Sequence, residues 1–229
     1  MKAMILAAGR GQRMRPLTDR LPKALLRAGG RPLIVHLIER LARAGFTELV
    51  INVSHLGGLI ERALGDGAAL GVHIAYSREA HALETGGGIA YALPLLGPAP
   101  FVVVNGDIYT DFDFARLACA AEALGPGRLA HLVLVDNPPH HPRGDFCLRA
   151  GKVTQEGARR LTFSGIGAYA PQLFASLAPG ARGPLRALLV PAMAQGRVSG
   201  EHHRGLWLDV GTPQRLAELR RALAARGRS

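Results

Sequence analysis

An α/β fold, a mainly parallel mixed sheet flanked by helices, is predicted by three features of the 229-residue chain. Short β-rich apolar runs alternate with amphipathic segments along most of its length, the pattern of βαβ units. Hydrophobic residues make up 48% of the chain, enough for a substantial core at this size. The 29 Gly and 15 Pro mark many turns but follow no fixed period, and no solenoid-type repeat is present. One domain spanning 1–229 is expected, with 136–160 as a small β insert beside a site.

The elements follow in order. Ala3–Ala7 reads as a buried first strand before a glycine-rich loop. Leu33–Ala44 places Leu33, Leu37 and Leu41 on one helical face, and Gly45 stops it. Leu49–Val53 is a strand, Leu56–Leu64 a helix, Val72–Tyr76 a strand, and Gly87–Leu96 a helix entered through three glycines. Phe101–Asn105 (FVVVN) is the clearest strand, followed by a helix over Phe114–Leu124 and a strand over Leu129–Val135. In the insert, Phe146–Arg149 and Lys152–Gln155 can pair through Ala150–Gly151. Thr162–Tyr169 reads as strand, Pro184–Gln195 as helix and Leu206–Val210 as strand, with Thr212–Pro213 capping a last helix to about Arg226.

The charge balance is 28 Lys plus Arg against 17 Asp plus Glu, a net +11. Such a balance attracts polyphosphates. Only Lys2, Lys23 and Lys152 are lysines, and the arginines are scattered from Arg10 to Arg228 without interleaved aromatics. A basic pocket for small phosphates is therefore expected rather than a nucleic-acid surface. Cys119 and Cys147 can build neither a disulfide framework nor a four-cysteine zinc site. With no signal-peptide core and no stretch of membrane-spanning length, a soluble cytoplasmic protein is expected, a monomer or weak homo-oligomer without membrane partners.

The strongest local signal is LAAGRGQRMRPLT at Leu6–Thr18 with PKAL at Pro22–Leu25. Gly9 and Gly11 let the backbone approach an anion, while Arg13 and Lys23 supply countercharge. The loop is not a dinucleotide fingerprint, because Met14 stands at the third glycine position, nor a Walker A loop, because no Gly-Lys-Ser/Thr follows. Asp107 and Asp209 each end an apolar strand, at the sheet edge where open α/β folds bind ligands. Two such carboxylates suit a hard divalent cation completed by phosphate oxygens; a turn or helix cap is the alternative role of each.

Glu84 and Thr85 precede three glycines, a place where a flat base could be read by main-chain groups, or simply a flexible loop. Asn137, Gly144, Asp145, Ser164 and Gly165 are candidates for an opposite wall, each also an ordinary turn residue. The pairs His140–His141 and His202–His203 suit one metal poorly, since neighbours on an extended strand face opposite ways; a solvated loop or strand is expected for them. No nucleophile elbow or Cys/His pair supports covalent catalysis.

LAAGRGQRMRPLT with Pro22–Lys23, together with VNGDIYTD at Val104–Asp111, resembles the sugar-1-phosphate nucleotidyltransferases over essentially the whole chain. The resemblance implies a Rossmann-like, GT-A-like nucleotidyltransferase fold. The stretches ETGGGI, DNPPHHPRGDF, LTFSGIGAY, VSGEHHRG and LWLDVGT are most similar to the N-acetylmuramate α-1-phosphate uridylyltransferases of cell-wall recycling. Ala24 stands where the family usually has a second proline.

That resemblance implies UTP and N-acetylmuramic acid α-1-phosphate as substrates, and UDP-N-acetylmuramic acid and pyrophosphate as products. It implies Mg²⁺ on Asp107 and Asp209, with Lys23, Arg13 and Asp107 as the catalytic set. Leu6, Ala8, Gly9, Gly11, Gln12, Arg13, Lys23, Glu84 and Gly86 would bind the nucleotide. Asn105, Gly144, Asp145 and Gly165 would bind the sugar phosphate. A mannose-1-phosphate guanylyltransferase, a glucose-1-phosphate thymidylyl- or uridylyltransferase, or a non-catalytic relative of the same fold are the alternatives.

Overall fold

The computed structural model describes residues 1–226; 227–229, which the expected domain includes, lie outside the described residues. The strands are β1 (Lys2–Leu6), β2 (Arg27–Ala28), β3 (Arg31–Pro32), β4 (Glu48–Val53), β5 (His73–Arg78), β6 (Phe101–Asn105) and β7 (Ile108–Thr110), then β8 (Ala130–Val135), β9 (Phe146–Arg149), β10 (Lys152–Thr154), β11 (Arg160–Tyr169), β12 (Val198–His203) and β13 (Trp207–Asp209). The helices are α1 (Leu33–Arg43), α2 (Gly57–Leu64), α3 (Glu84–Leu96), α4 (Phe114–Glu122), α5 (Leu185–Ala194) and α6 (Pro213–Arg226).

Nine strands form one mixed sheet in the order β5-β4-β1-β6-β11-β8-β12-β10-β9. The first four are parallel to one another, as expected for βαβ units. Ala3, Met4 and Ile5 of β1 are fully buried, the mark of a central strand covered on both faces. The parallel register sets Leu6 beside both Asn52 and Asn105, so three strand ends share one edge.

Beyond β6 the sheet changes hand of pairing. β11 runs antiparallel to both β6 and β8, while β12 is parallel to β8. A bulge interrupts β11 between Phe163 and Ile166, where Gly165 adopts φ +77°. The β9–β10 hairpin turns through Ala150 and Gly151, both at positive φ, as a tight right-twisting hairpin requires. β9 also pairs with β11 and β10 with β12, so the 136–160 stretch extends the main sheet.

Two elements differ from the sequence reading in ways that matter for the site. The triple glycine does not lead into α3; it lies inside it, since α3 starts at Glu84. Gly86, Gly87 and Gly88 are buried because a side chain there would strike the 181–185 backbone or the Glu79 carboxylate. β12, with the sequence VSGEHH, carries no apolar run that would announce it. It is fixed instead by neighbours: a Cβ at Gly200 would meet Val153 and the Leu132 carbonyl.

The apolar interior has a large cluster around the sheet and a small separate one. The small one gathers Met14, Leu26, Ala28, Leu33, Val210, Leu216 and Leu219. It lies under the glycine-rich loop and the start of α6, and no β-strand of the main sheet contributes to it.

Candidate active site

The glycine-rich loop leaves β1 and folds back on itself through local bonds. Gly11 sits at φ +63°, its carbonyl accepting from Met14 N at 2.9 Å and from the Thr18 hydroxyl at 2.8 Å. A Cβ at Gly11 would also press on Thr18 and Lys23, so glycine is required there. Met14, the residue that broke the dinucleotide fingerprint, is fully buried and anchors the loop in the small cluster. Arg13 is left exposed, and among the described residues no hydrogen bond or ion pair engages it.

Lys23 opens a short 3-10 turn whose next two residues, Ala24 and Leu25, are buried. Alanine in place of the second proline thus still presents the lysine. Its Nζ pairs with Oδ2 of Asp107. Asp107 follows β6 through Gly106, whose amide donates to the Leu6 carbonyl at 2.9 Å and whose missing Cβ allows that approach.

Asp209 ends β13, which pairs with β7 so that Asp209 stands opposite Ile108. Val210 N donates to the Asp107 carbonyl at 2.8 Å. The small β7–β13 sheet therefore brings together two carboxylates about a hundred positions apart in sequence, as their placement at strand ends predicted. Arg215, in the first turn of α6, donates to Asp209 Oδ2 at 2.6 Å, while Asp209 Oδ1 is buried without a partner. Among the described residues no cluster of three or more His, Cys, Asp or Glu could hold a metal. An orphaned carboxylate oxygen on the same cavity wall as a second carboxylate nevertheless fits a hard cation that takes most of its ligands from phosphate and water.

Two cavities meet at this point. The larger, about 610 Å³, is lined by Leu6, Ala8, Gly9, Gly11, Gln12, Arg13, Lys23, Glu84, Thr85, Asn105 and Asp107, joined by Arg10, Asn52 and Glu79. The smaller, about 360 Å³, is lined by Arg13, Asn105, Asp107, His140, His141, Thr162, Phe163, Ser164, Trp207 and Asp209. Arg13, Asn105 and Asp107 belong to both walls. Ligands held in both cavities would approach one another at these three residues.

Glu79 and Asn52 are site residues that the sequence reading missed. Glu79 is 6% exposed; its Oε1 accepts from Asn52 Nδ2 at 2.6 Å and its Oε2 from Leu83 N at 3.0 Å. Asn52 Oδ1 in turn accepts from Ala7 N at 2.8 Å. This chain of bonds ties the start of α3 to the end of β1. The signal was present as a polar Asn inside the apolar run LVINV. Glu84, at φ +62°, holds a backbone conformation costly for a non-glycine residue, on the wall of the larger cavity.

Several expected site residues lie elsewhere. Gly86 lines neither of these two cavities; it gives α3 its close approach to Gly183 and Leu185. Gly144, Asp145 and Gly165 line neither cavity and instead hold those that do. Asp145 Oδ2 accepts from Phe163 N at 2.8 Å and its Oδ1 lies 3.1 Å from His141 Nε2. Gly165, at the bulge, leaves room for the Asn105 amide, and Gly144, at φ +60°, for the Asn137 amide. Asn137 spends its own amide on Pro142 and Arg160 carbonyls and the Thr162 hydroxyl.

The histidine pairs are also not simply solvated. His140 and His141 line the smaller cavity, and His140 Nε2 lies 2.8 Å from Arg215 Nη1. Partial burial first, and the Arg215 charge second, hold the His140 imidazole below its ordinary range against the pull of Asp209. His202 and His203 are on β12 with side chains only 16% and 13% exposed. They face Asp136 and Asp111 respectively, on opposite sides of the strand.

The comparisons agree with the geometry. Residues 2–144 match the Nucleotidyl transferase family. The chain is 56% identical to the N-acetylmuramate alpha-1-phosphate uridylyltransferase of Neisseria meningitidis over 95% of its own length and 96% of the relative's. It is 39% identical to the protein of that name from Caulobacter vibrioides over 93% of this chain and 92% of the relative. In fold it is similar to a Bacillus anthracis protein assigned as a glucose-1-phosphate thymidylyltransferase, with a TM-score of 0.86 at 23% identity over 97% of this chain and 95% of that one. The glycine-rich loop, the two carboxylates at the sheet edge and the matched relatives all converge: the chain belongs to the nucleotidyl transferase family, among the sugar-1-phosphate nucleotidyltransferases.

Proposed function

We propose that the protein transfers the uridylyl group of UTP to N-acetylmuramic acid α-1-phosphate, releasing pyrophosphate and forming UDP-N-acetylmuramic acid for reuse in cell-wall synthesis in the cytoplasm. The observation that carries the reading is the shared wall of the two cavities, where Arg13, Asn105 and Asp107 stand with Lys23 beside them. The relatives that are 56% and 39% identical over nearly all of the chain support the choice of base and sugar.

The nucleophile is a phosphate oxygen already ionised near neutral pH, so no general base is required. What remains is positioning two anions and neutralising the charge that builds between them. UTP fits the larger cavity with its base toward Glu84 and Thr85 and its phosphates along Gly9–Arg13. The sugar phosphate fits the smaller one, with Asn105 at the junction. Lys23 steadies charge on the α-phosphate, and Arg13 with the loop amides holds the departing pyrophosphate. Asp107 and Asp209 would hold a divalent cation, Mg²⁺ by its hardness, which when bound supplies further neutralisation of the phosphates.

The test is identification of products. Incubation with UTP, N-acetylmuramic acid α-1-phosphate and Mg²⁺ yields a UDP-sugar of the mass of UDP-N-acetylmuramic acid and one pyrophosphate per sugar. A product only with GTP and mannose 1-phosphate would replace this reading with a guanylyltransferase.

A further inference from the structure

We infer that His140 donates a hydrogen bond from Nδ1 to an acceptor oxygen on the sugar in the smaller cavity, and that Arg215 is the positioning residue that fixes the proton on that nitrogen. The inference rests on the sugar-phosphate reading and names a specificity contact within it.

A guanidinium can only donate. Because Arg215 Nη1 lies 2.8 Å from His140 Nε2, that nitrogen must present its lone pair, and the neutral ring carries its proton on Nδ1. Asp209 Oδ2 is 3.7 Å from Nε2, beyond hydrogen-bond reach, so it does not compete for the assignment. Arg215 is itself held firmly. Its side chain is 12% exposed and donates to Asp209 Oδ2 at 2.6 Å and to the Thr212 hydroxyl at 3.4 Å.

The imidazole of His140, by contrast, is 41% exposed on the cavity wall, and among the described residues Nδ1 has no partner. Its neighbour His141 is turned toward Asp145. His140 is thus a directed donor standing in the sugar cavity, oriented from behind by a residue that also orients Asp209. The complementary group is an acceptor oxygen on a ring substituent, either the lactyl carboxylate or the acetamido carbonyl.

Steady-state kinetics of the full chain test this with His140→Ala, His140→Gln, His140→Asn and Arg215→Lys. Asparagine returns an amide donor near the Nδ1 position, whereas glutamine reaches only the Nε2 position. Ala and Gln are expected to raise KM for the sugar phosphate about tenfold, leaving KM for UTP within about twofold, and Asn to recover most of the loss. Arg215→Lys is expected to raise the same KM, because the lysine ammonium ends one bond short of the Nη1 that serves both Asp209 and His140 and lacks the Nε–H that bonds Thr212.

The source of the oxygen is read with N-acetylglucosamine 1-phosphate and glucose 1-phosphate. A penalty for His140→Ala that disappears with N-acetylglucosamine 1-phosphate identifies the carboxylate; one that persists there and disappears with glucose 1-phosphate identifies the amide. Wild-type kinetics in His140→Ala overturn the inference, as does Gln rescuing better than Asn, which would leave His140 only a structural link. Melting curves show whether Arg215→Lys folds; if it does not, the exposed His140 series decides alone. A wild type inactive on all three sugar phosphates overturns the functional reading instead.

Discussion

Met14 of the glycine-rich loop and Val210, the residue after Asp209, are both fully buried in the same small apolar cluster. The loop that would grip the nucleotide and the turn that carries one of the two carboxylates therefore share a foundation. Met14→Ala is expected to destabilise the protein by about 2–5 kcal/mol through the cavity it leaves. Because the cluster lies under the loop, KM for UTP should rise as well. Denaturant unfolding paired with kinetics checks both; a stability loss with unchanged KM would show that the loop holds its shape without this anchor.

Lys23 and Asp107 form an ion pair with side chains 13% and 29% exposed. Asp107→Asn is expected to abolish turnover while the fold persists, because the lysine can still be solvated from the cavity. Lys23→Ala should lower kcat by about 10²–10³ and alter UTP binding much less, since its charge matters most as the transfer proceeds. Calorimetric UTP binding beside rapid-quench measurement of the chemical step separates the two, and a pure binding defect would contradict the assignment.

Glu79→Ala removes the acceptor of both the Asn52 amide and the Leu83 amide. Leaving buried donors unpaired costs about 1–3 kcal/mol. The same change releases Asn52, which holds Ala7 N at the end of β1. Weaker UTP binding together with a lower melting temperature is the expected pair of results. Glu79→Gln, which keeps one acceptor, should lie between.

Acid sensitivity has an identifiable source on β12. Contact with His131, at 3.4 Å, and then the Arg116 charge hold the Glu201 carboxyl below its ordinary value of 4.5, with partial burial opposing. A carboxylate lowered in the folded state contributes stability that is present above pH 4.5 and lost as the pH falls through its folded value. His140 acts in the same direction at higher pH: lowered in the folded state, it resists protonation, so stability declines as the pH drops below 6.5. Unfolding measured from pH 8 to pH 3 should show a shallower acid decline in Glu201→Gln than in the wild type. Parallel curves would exclude Glu201 as a contributor.

The parallel half of the sheet was readable because its strands are short apolar runs ended by turn residues, and Phe101–Asn105 matched the observed strand at both ends. The placement of Gly9, Gly11, Arg13, Lys23, Asp107 and Asp209 on cavity walls was readable for a related reason: glycines and charges gathered in the segments that follow apolar strands are unusual. What escaped was set by long-range contacts. β12 has no apolar pattern, and the glycines of α3 serve helix packing rather than a flexible approach. Asn52, Glu79 and Arg215 gain their roles only when the sheet edge, α3 and the start of α6 are brought together. Gly144, Asp145 and Gly165 lay next to the site, and one-dimensional spacing could not show that they support their neighbours rather than face the cavity.

The measurement that tests the central claim most directly is pyrophosphate release with Mg²⁺ across UTP, dTTP, GTP, CTP and ATP against N-acetylmuramic acid, N-acetylglucosamine, glucose and mannose 1-phosphates, with Asp107→Asn alongside. Release strongest for UTP with N-acetylmuramic acid 1-phosphate, and absent in the variant, is the predicted result. Silence across the whole grid, or full activity in Asp107→Asn, would contradict it.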